Sequence, residues 1–213
     1  MNAPLDASVR PQRIETIEAL EAYYGKPSDR AVFKEIDHIS DHYRAFIERA
    51  PFVAVASAGP EGLDCSPRGD PPGWVRVVDP KTIQMPDRRG NNRVDTLRNI
   101  VRDPRVGLLF LIPGVGETLR INGRASILIE PALLDSFAVG SKPPRSVISV
   151  AVDTVYFQCQ KALARSRLWD PAAQAAKGEL PTSGEILKAL SPEPFDAESY
   201  DTGYSEYMKQ TIY

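Results

Sequence analysis

The sequence has few residues of the kinds that hold metals or form disulfides. Its two cysteines, Cys65 and Cys159, lie far apart and form no CxxC pair. Its two histidines, His38 and His42, have the i and i+4 spacing that can bind zinc on a helix, but no HExxH pattern and no third ligand lie nearby. These absences argue against a metal site and are typical of a reducing compartment, so we expect a cytoplasmic protein.

Long apolar runs and the common catalytic signatures are also missing. The longest strongly apolar stretch, residues 106–112, is far too short to span a bilayer, and the first ten residues lack the blocks of a signal peptide. Neither GxSxG nor a P-loop occurs, and residues 114–116 lack the third glycine of a dinucleotide fingerprint. A net charge of −2 creates no field that attracts nucleic acid or an anionic membrane, and we expect neither partner.

What the sequence does contain is typical of one globular domain with terminal additions. Of its 213 residues, 42% are hydrophobic and 25% are charged, while 19 prolines predict many loops between short elements. Helical spacing dominates the first part of the chain, and short β-type runs dominate the middle. We predict an N-terminal helical extension over residues 1–50, a barrel domain over 51–170, and a C-terminal helical tail over 171–213 that packs on the barrel.

The β-type runs predict an antiparallel barrel. Residues 106–112 are apolar at every position, which predicts a central strand buried on both faces. Residues 118–129 alternate between polar and apolar side chains, and residues 146–158 form one long strand pattern. Because Gly and Pro turns separate the runs and helices do not alternate regularly with them, we predict a mainly β protein with peripheral helices (α+β), built as a six- to seven-stranded antiparallel split β-barrel.

One segment between a predicted strand and a predicted helix has the composition of a phosphate site. Residues 85–93 read MPDRRGNNR, in which Arg88, Arg89 and Arg93 supply positive charge and Gly90 permits a tight turn. A phosphate binds well where guanidinium groups and backbone N–H groups converge at a helix N-terminus. The alternative is a solvated basic loop in which Asn91 or Asn92 simply caps the helix.

Five ordered motifs resemble a known family. They are DCSPRGDPPG (64–73), PDRRGNNR (86–93), DPRVGLLF (103–110), ETLRINGRA (117–125) and CQKALARSRLW (159–169). Together they are similar to a subfamily of pyridoxamine 5′-phosphate oxidase-like, FMN-dependent split-barrel proteins, over about residues 14–172. The resemblance implies FMN as the cofactor, bound at the interface of a homodimer.

The resemblance also implies which residues contact the cofactor: Ser66, Pro67, Arg68, Met85, Pro86, Arg88, Asn92, Arg93, Thr118, Lys161 and Arg165. In that scheme Asn92 and Arg93 hold the phosphate, and the backbone at Met85 approaches the flavin ring. Lys161 and Arg165 come from the partner subunit and compensate the charge of the reduced flavin. The alternative for these two residues is a solvent-facing pair one helical turn apart.

The function implied is hydride transfer at flavin N5 to or from an unknown small substrate, with NAD(P)H as a candidate electron donor. The sequence departs from true pyridoxamine-phosphate oxidases, because no histidine follows His42 and the C-terminal part carries tyrosines where that enzyme has an Arg-and-His ending. The substrate is therefore open. Two alternatives stay open as well: a non-catalytic protein that stores or senses FMN, and a related barrel that binds deazaflavin or haem.

Overall fold

A computed structural model describes residues 12–213, so the first part of the predicted N-terminal extension lies outside the described residues. Contacts divide the chain into two units, the first ending at Lys34 and the second comprising Glu35–Tyr213. The first unit contains α1 (Ile17–Tyr24) and α2 (Asp29–Phe33). Thr16 caps α1 by accepting a hydrogen bond from the Ala19 amide, and Gly25 ends it with φ 75°, a left-handed value that suits glycine. The domain boundaries after residues 50 and 170 stay predictions.

The second unit is built on one seven-stranded sheet. In chain order its strands are β1 (Phe52–Gly59), β2 (Gly62–Gly69), β3 (Arg76–Asp79), β4 (Thr82–Asp87), β5 (Arg105–Leu111), β6 (Thr118–Leu128) and β7 (Ser146–Gln158). The order across the sheet is β2-β1-β5-β6-β7-β4-β3, and every neighbouring pair is antiparallel. The predicted fold class, an antiparallel sheet with helices around it, is confirmed.

Six α-helices belong to this unit in addition to the sheet. They are α3 (Asp41–Arg49), α4 (Asp95–Arg102), α5 (Pro131–Ser136), α6 (Lys161–Ser166), α7 (Ser183–Leu190) and α8 (Ala197–Thr211), with a short 3₁₀ turn at Pro171–Ala173. Within residues 12–213, no helix combines the length and the apolar character that crossing a bilayer requires.

The alternation predicted for β6 is present. Leu119, Ile121 and Ala125 are buried in the core, and Arg120 and Arg124 on the opposite face are exposed. Thr118 departs from the pattern, since it is buried at the beginning of the strand instead of exposed with the polar set. β7 has the predicted bounds and forms the longest strand pairing of the sheet, with β6.

The expectation that residues 106–112 are buried on both faces was wrong. β5 is central in the sheet, between β1 and β6, and its Val106, Leu108 and Phe110 side chains are buried. Leu109 and Leu111 on the other face are only half-buried. An antiparallel sheet commonly packs one face on its core and leaves the other partly open, so an uninterrupted apolar run does not guarantee two covered faces.

Helix α4 is held against the sheet by a buried polar contact. The Asn99 side-chain amide donates to the Ser57 hydroxyl of β1 at 3.2 Å, in a part of the core where both side chains are buried. Gly59 lies so close to Asn99 that a Cβ atom there would collide with the side-chain amide oxygen. The orientation of α4 is therefore fixed, and with it the position of the loop that precedes the helix.

The pairing of β6 with β7 contains an irregularity at Gly123. The register shifts between Asn122 and Gly123, so that Asn122 pairs with Thr154 and Gly123 with Val152. A Cβ atom on Gly123 would collide with the Ala151 carbonyl oxygen and lie 2.9 Å from a methyl group of Val150. The close approach of the two backbones is possible only because residue 123 has no side chain.

We expect Gly123→Ala to destabilise the protein by about 1–3 kcal/mol, the usual cost of forcing an extra methyl group into a packed site. Urea unfolding measures this change. Gly203→Ala is the matched control, because Gly203 lies in α8 and a Cβ atom there meets nothing within 4 Å. It should leave the stability unchanged or raise it by up to about 1 kcal/mol. Equal stability of the two variants would contradict the close approach at Gly123.

Candidate functional site

A cavity of about 920 Å³ lies at one end of the sheet. Its wall is formed by Asp64, residues 66–71 and Trp74 in and after β2, by residues 86–97 from the end of β4 to the beginning of α4, and by residues 145–146 at the beginning of β7. Residues 212 and 213, after α8, complete it. Four segments that are distant in the sequence therefore meet in one place.

The cavity lies where two distant parts of the sheet come together. β2 is an edge strand, and four strands separate it from β4 in the sheet order. Nevertheless Arg68 of β2 lies 3.5 Å from the carboxylate of Asp87, the last residue of β4. The sheet must curve strongly to bring these two strands within contact distance, as a split barrel does.

A second contact across the same gap is shorter and more buried. The Arg88 guanidinium donates through Nε to Asp70 Oδ2 at 2.7 Å and through Nη1 to the Phe137 carbonyl oxygen at 2.8 Å. The Asp70 side chain is only 4% exposed. Arg88 therefore lines the cavity, but most of its charge is compensated by Asp70.

The Tyr213 side chain completes this group. Its hydroxyl donates to Asp70 Oδ1 at 2.6 Å, and the Arg88 guanidinium lies 5.5 Å from its ring centroid. The hydrogen bond to the Asp70 carboxylate is the main cause of a raised pKa at Tyr213, because removing the phenolic proton would put two negative charges together. Asp70 and Tyr213 were not predicted as site residues, and no spacing signal connects positions so far apart.

Arg68 has a hydrogen-bonding deficit. Its Nη1 donates to the Pro67 carbonyl oxygen at 3.1 Å and its Nη2 faces Asp87, but its buried Nε has no partner among the described residues. The buried Ser146 hydroxyl, which also lies in the cavity wall, likewise has no hydrogen-bond partner among the described residues. Buried donors without acceptors are costly, so both atoms are suited to a ligand that brings oxygen atoms.

The loop before α4 has the strained backbone of a tight binding loop. Asn92 and Val94 have positive φ values of 60° and 54°, which are uncommon for residues other than glycine. Neither Asn91 nor Asn92 caps α4, contrary to the alternative for this loop. Val94 occupies the cap position without a side-chain hydrogen bond, and Asn91 instead accepts from the Arg93 amide at 3.1 Å.

The structure separates Asn92 from Arg93, which the resemblance treats as a pair. Asn92 Oδ1 accepts a hydrogen bond from Arg145 at 3.1 Å, so a residue that was not predicted joins the site. The Arg93 side chain is 75% exposed and its Nε lies 2.8 Å from Asp95. This ion pair raises the pKa of Arg93 and occupies part of its guanidinium. Arg93 lines the cavity from its rim.

Ser66 belongs to a small hydroxyl network in the cavity wall. The Asp64 carboxylate accepts from the Ser66 hydroxyl at 2.9 Å and from the Thr96 hydroxyl at 2.5 Å. Thr96 lies in the first turn of α4 and is buried. Asp64 therefore ties β2 to the beginning of α4 and orients both hydroxyl groups beside the cavity.

Four of the predicted residues do not line the cavity: Met85, Thr118, Lys161 and Arg165. Met85 is fully buried in the core, and only the next residue, Pro86, reaches the cavity wall. Thr118 pairs with Gln158 at the end of β7, and α6 with Lys161 follows that end directly. The cavity lies at the other end of β7, and thirteen residues of strand span about 40 Å.

Positive and negative side chains are nearly balanced in the cavity. Its wall contains five arginines and four aspartates. Asp87 lies among them with its pKa raised by burial, although the charges of Arg68 and Arg145 oppose that shift. No group of three or more metal-ligating side chains occurs in the described part of the chain.

The raised pKa of Asp87 predicts a pH-dependent difference between the protein and its Asp87→Asn variant. Between the ordinary Asp pKa of 3.8 and the raised folded value, the unfolded chain loses the Asp87 proton before the folded protein does. The folded protein therefore loses stability as pH rises through this window, whereas the variant does not lose that contribution. Urea unfolding measures the free energy of unfolding of both proteins at a series of pH values. As pH rises through the window, this free energy should fall for the original protein relative to the Asp87→Asn variant. A shift in favour of Asp87 would mean that its ion pair with Arg68 outweighs burial.

Comparisons with solved structures find distant similarity. HupZ of Group A Streptococcus is 18% identical, with 57% of this chain and 94% of that chain covered and a TM-score of 0.46. General stress protein 26 of Bacillus anthracis is 15% identical over 53% and 88%, with a TM-score of 0.40. An FMN-binding protein of Syntrophomonas wolfei is 13% identical over 54% and 86%, also with a TM-score of 0.40. These similarities are too distant to bear on function, and no curated protein matches the sequence.

The sequence itself provides the assignment. The family model described as pyridoxamine 5′-phosphate oxidase matches residues 39–159, which include all seven strands, α4 and most of the cavity wall. Since the match covers more than half of the 213 residues, this chain belongs to the pyridoxamine 5′-phosphate oxidase family.

Proposed function

We propose that the chain binds FMN in the 920 Å³ cavity and acts as an FMN-dependent oxidoreductase on a small substrate. The observation that carries this proposal is the buried Arg68 Nε, which lacks an acceptor and lines the cavity beside the Arg- and Asn-rich loop. The volume lies within the range of about 300–1,000 Å³ that is usual for small-molecule and cofactor sites.

The residues present fit a ligand with both a phosphate and a polar ring system. Arg68 and Ser146 have unsatisfied buried atoms, and Arg145 and Asn92 are hydrogen-bonded to each other at the same wall. Phosphate oxygens can accept from guanidinium and hydroxyl donors simultaneously. All four residues line the same cavity, which supports a phosphate site in it.

When bound, FMN supplies hydride transfer at its N5 atom. The chain's own residues would bind and orient the cofactor and compensate its negative charge. Arg88 is held rigidly by Asp70 and the Phe137 carbonyl, so its remaining N–H donors are fixed in direction. Asp64 holds the hydroxyls of Ser66 and Thr96 in place in the cavity wall. NAD(P)H is the electron donor we propose to test first.

We further infer that the working unit is a homodimer. Thr118, Lys161 and Arg165 lie at the end of β7 that is remote from the cavity, so they reach a cofactor only if a second copy brings them to it. The half-buried Leu109 and Leu111 on the open face of β5 provide apolar surface that a second copy could cover. Assembly as a cytoplasmic homodimer stays a proposal.

The cofactor proposal predicts discrimination between FMN and riboflavin. Isothermal titration should give a dissociation constant for FMN at or below about a micromolar, and much weaker binding of riboflavin. Arg68→Ala should weaken FMN binding by about 2–4 kcal/mol, because it removes a buried donor from a charged partner. Arg93→Ala should cost about 1 kcal/mol or less, since that side chain is exposed and paired with Asp95.

Arg105→Ala serves as the control, because Arg105 is exposed, paired with Asp103, and outside the cavity. Equal affinity for FMN and riboflavin would reject the phosphate site. Bleaching of the flavin colour by NAD(P)H and its return in air would support the oxidoreductase. Binding of FMN without reduction would favour the storage or sensing alternative.

The dimer proposal predicts a mass of twice 23.5 kDa by light scattering. It also predicts that Lys161→Ala weakens FMN binding even though Lys161 does not line the cavity of its own chain. Lys188→Ala on the exposed side of α7 is the matched control and should have no effect. A monomer that binds FMN tightly would contradict the shared site.

A further inference from the structure

One of the four aspartates in the cavity wall is held less firmly than the others. The carboxylates of Asp64, Asp70 and Asp95 each accept a hydrogen bond of 2.9 Å or shorter. Among the described residues, the ion-pair partner of Asp87 is Arg68, whose Nη2 lies 3.5 Å from Asp87 Oδ1. That distance is too long for a strong hydrogen bond, so the Asp87 anion has the weakest partner of the four.

The surroundings of Asp87 favour its protonated form. Its side chain is 17% exposed, and burial raises its pKa because the charged carboxylate loses hydration there. The charges that oppose this shift are Arg68 on β2 and Arg145 just before β7. The neighbouring Arg88 is directed to Asp70 instead. A proton on Asp87 is therefore less costly than a proton on a surface carboxylate.

Two buried atoms without hydrogen-bond partners lie near this carboxyl group. Asp87, at the end of β4, is paired with Ser146, at the beginning of β7, so their side chains are neighbours on one face of the sheet. The Ser146 hydroxyl and Arg68 Nε are both buried and lack partners among the described residues. A ligand that brings oxygen atoms to these two groups therefore comes next to Asp87.

From this arrangement we propose that Asp87 takes up one proton when a phosphate group binds in the cavity, and that the protonated carboxyl donates a hydrogen bond to a phosphate oxygen. Two anions beside Arg68 repel each other, whereas a protonated carboxyl is a donor. The proton comes from solvent and stays on the carboxyl oxygen, and no other bond forms or breaks. Only the choice of FMN as the source of the phosphate rests on the proposed function.

The affinity for FMN should then depend on pH through Asp87. Because phosphate binding favours the protonated carboxyl, the protonated carboxyl favours phosphate binding by the same factor. The pKa of Asp87 is therefore higher in the complex than in the free protein. Between these two values, the dissociation constant for FMN should rise with pH by up to about tenfold per pH unit, the effect of one linked proton.

The test is isothermal titration with FMN in pairs of buffers that differ in ionisation enthalpy, at a series of pH values. The dependence of the measured heat on the buffer gives the number of protons taken up. We expect uptake to approach about one proton per FMN in the window of pH dependence. Riboflavin, which has no phosphate, should cause almost none.

The variant Asp87→Asn separates Asp87 from the phosphate group, which itself titrates with a second pKa of about 6. The amide of the variant still donates a hydrogen bond but takes up no proton. The variant should therefore bind FMN more tightly than the original protein above the window and about equally below it. Its affinity for riboflavin should not change, which reports that the cavity is folded.

Asp95→Asn is the matched control, because it removes the same charge from the cavity wall at a side chain that is 41% exposed and paired with Arg93. This variant should keep the proton uptake. Uptake that persists in Asp87→Asn would assign the proton to the phosphate and overturn the proposal. Equal losses in the two variants would also overturn it, since the net charge of the cavity would then be responsible.

This proposal and the proposed function fail in different ways. If FMN binds without proton uptake at any pH, the role of Asp87 is rejected and the FMN proposal is unaffected. If FMN does not bind, the same comparison is made with inorganic phosphate. Proton uptake that depends on Asp87 then leaves its role standing, and the absence of phosphate binding rejects it.

Discussion

Arg88 and Asp70 form the contact on which the site depends. Asp70 follows β2 at one edge of the sheet, and Arg88 follows β4 near the other edge, so their buried ion pair joins the two sides of a strongly curved sheet. Arg68 and Asp87 make a second, longer contact across the same gap. Removing one partner of such a buried pair is far more costly than losing a surface ion pair, because the other charge is left without compensation.

The arginines at this gap between the two sides of the sheet differ in how their charges are compensated. Charges that hold the barrel together are compensated by aspartates, as Arg88 is by Asp70. Arg68 differs from Arg88, because its Nη2 faces Asp87 at 3.5 Å while its buried Nε has no partner among the described residues. The Tyr213 side chain supports the Arg88–Asp70 pair through its hydrogen bond to Asp70, and it lines the cavity.

The length of β7 has a second consequence for the site. One end of the strand carries Ser146 in the cavity wall, and the other end leads to α6, about 40 Å away. We propose that a second copy brings the α6 end to the cavity, and the separation of the two ends along β7 is the basis of that proposal.

The sequence alone determined the fold class, the bounds of β7, the alternation of β6 and the loop before α4, because these follow from local periodicity and from Gly and Pro breaks. It also indicated the family, which the match over residues 39–159 confirms. The tertiary structure alone decided that Asp70, Arg145 and Tyr213 meet at the cavity, and that Arg93 lies exposed at its rim. It also decided that one face of β5 is only half covered. These features depend on how far the sheet curves and on which side chains find partners, and both are set by contacts between residues tens of positions apart.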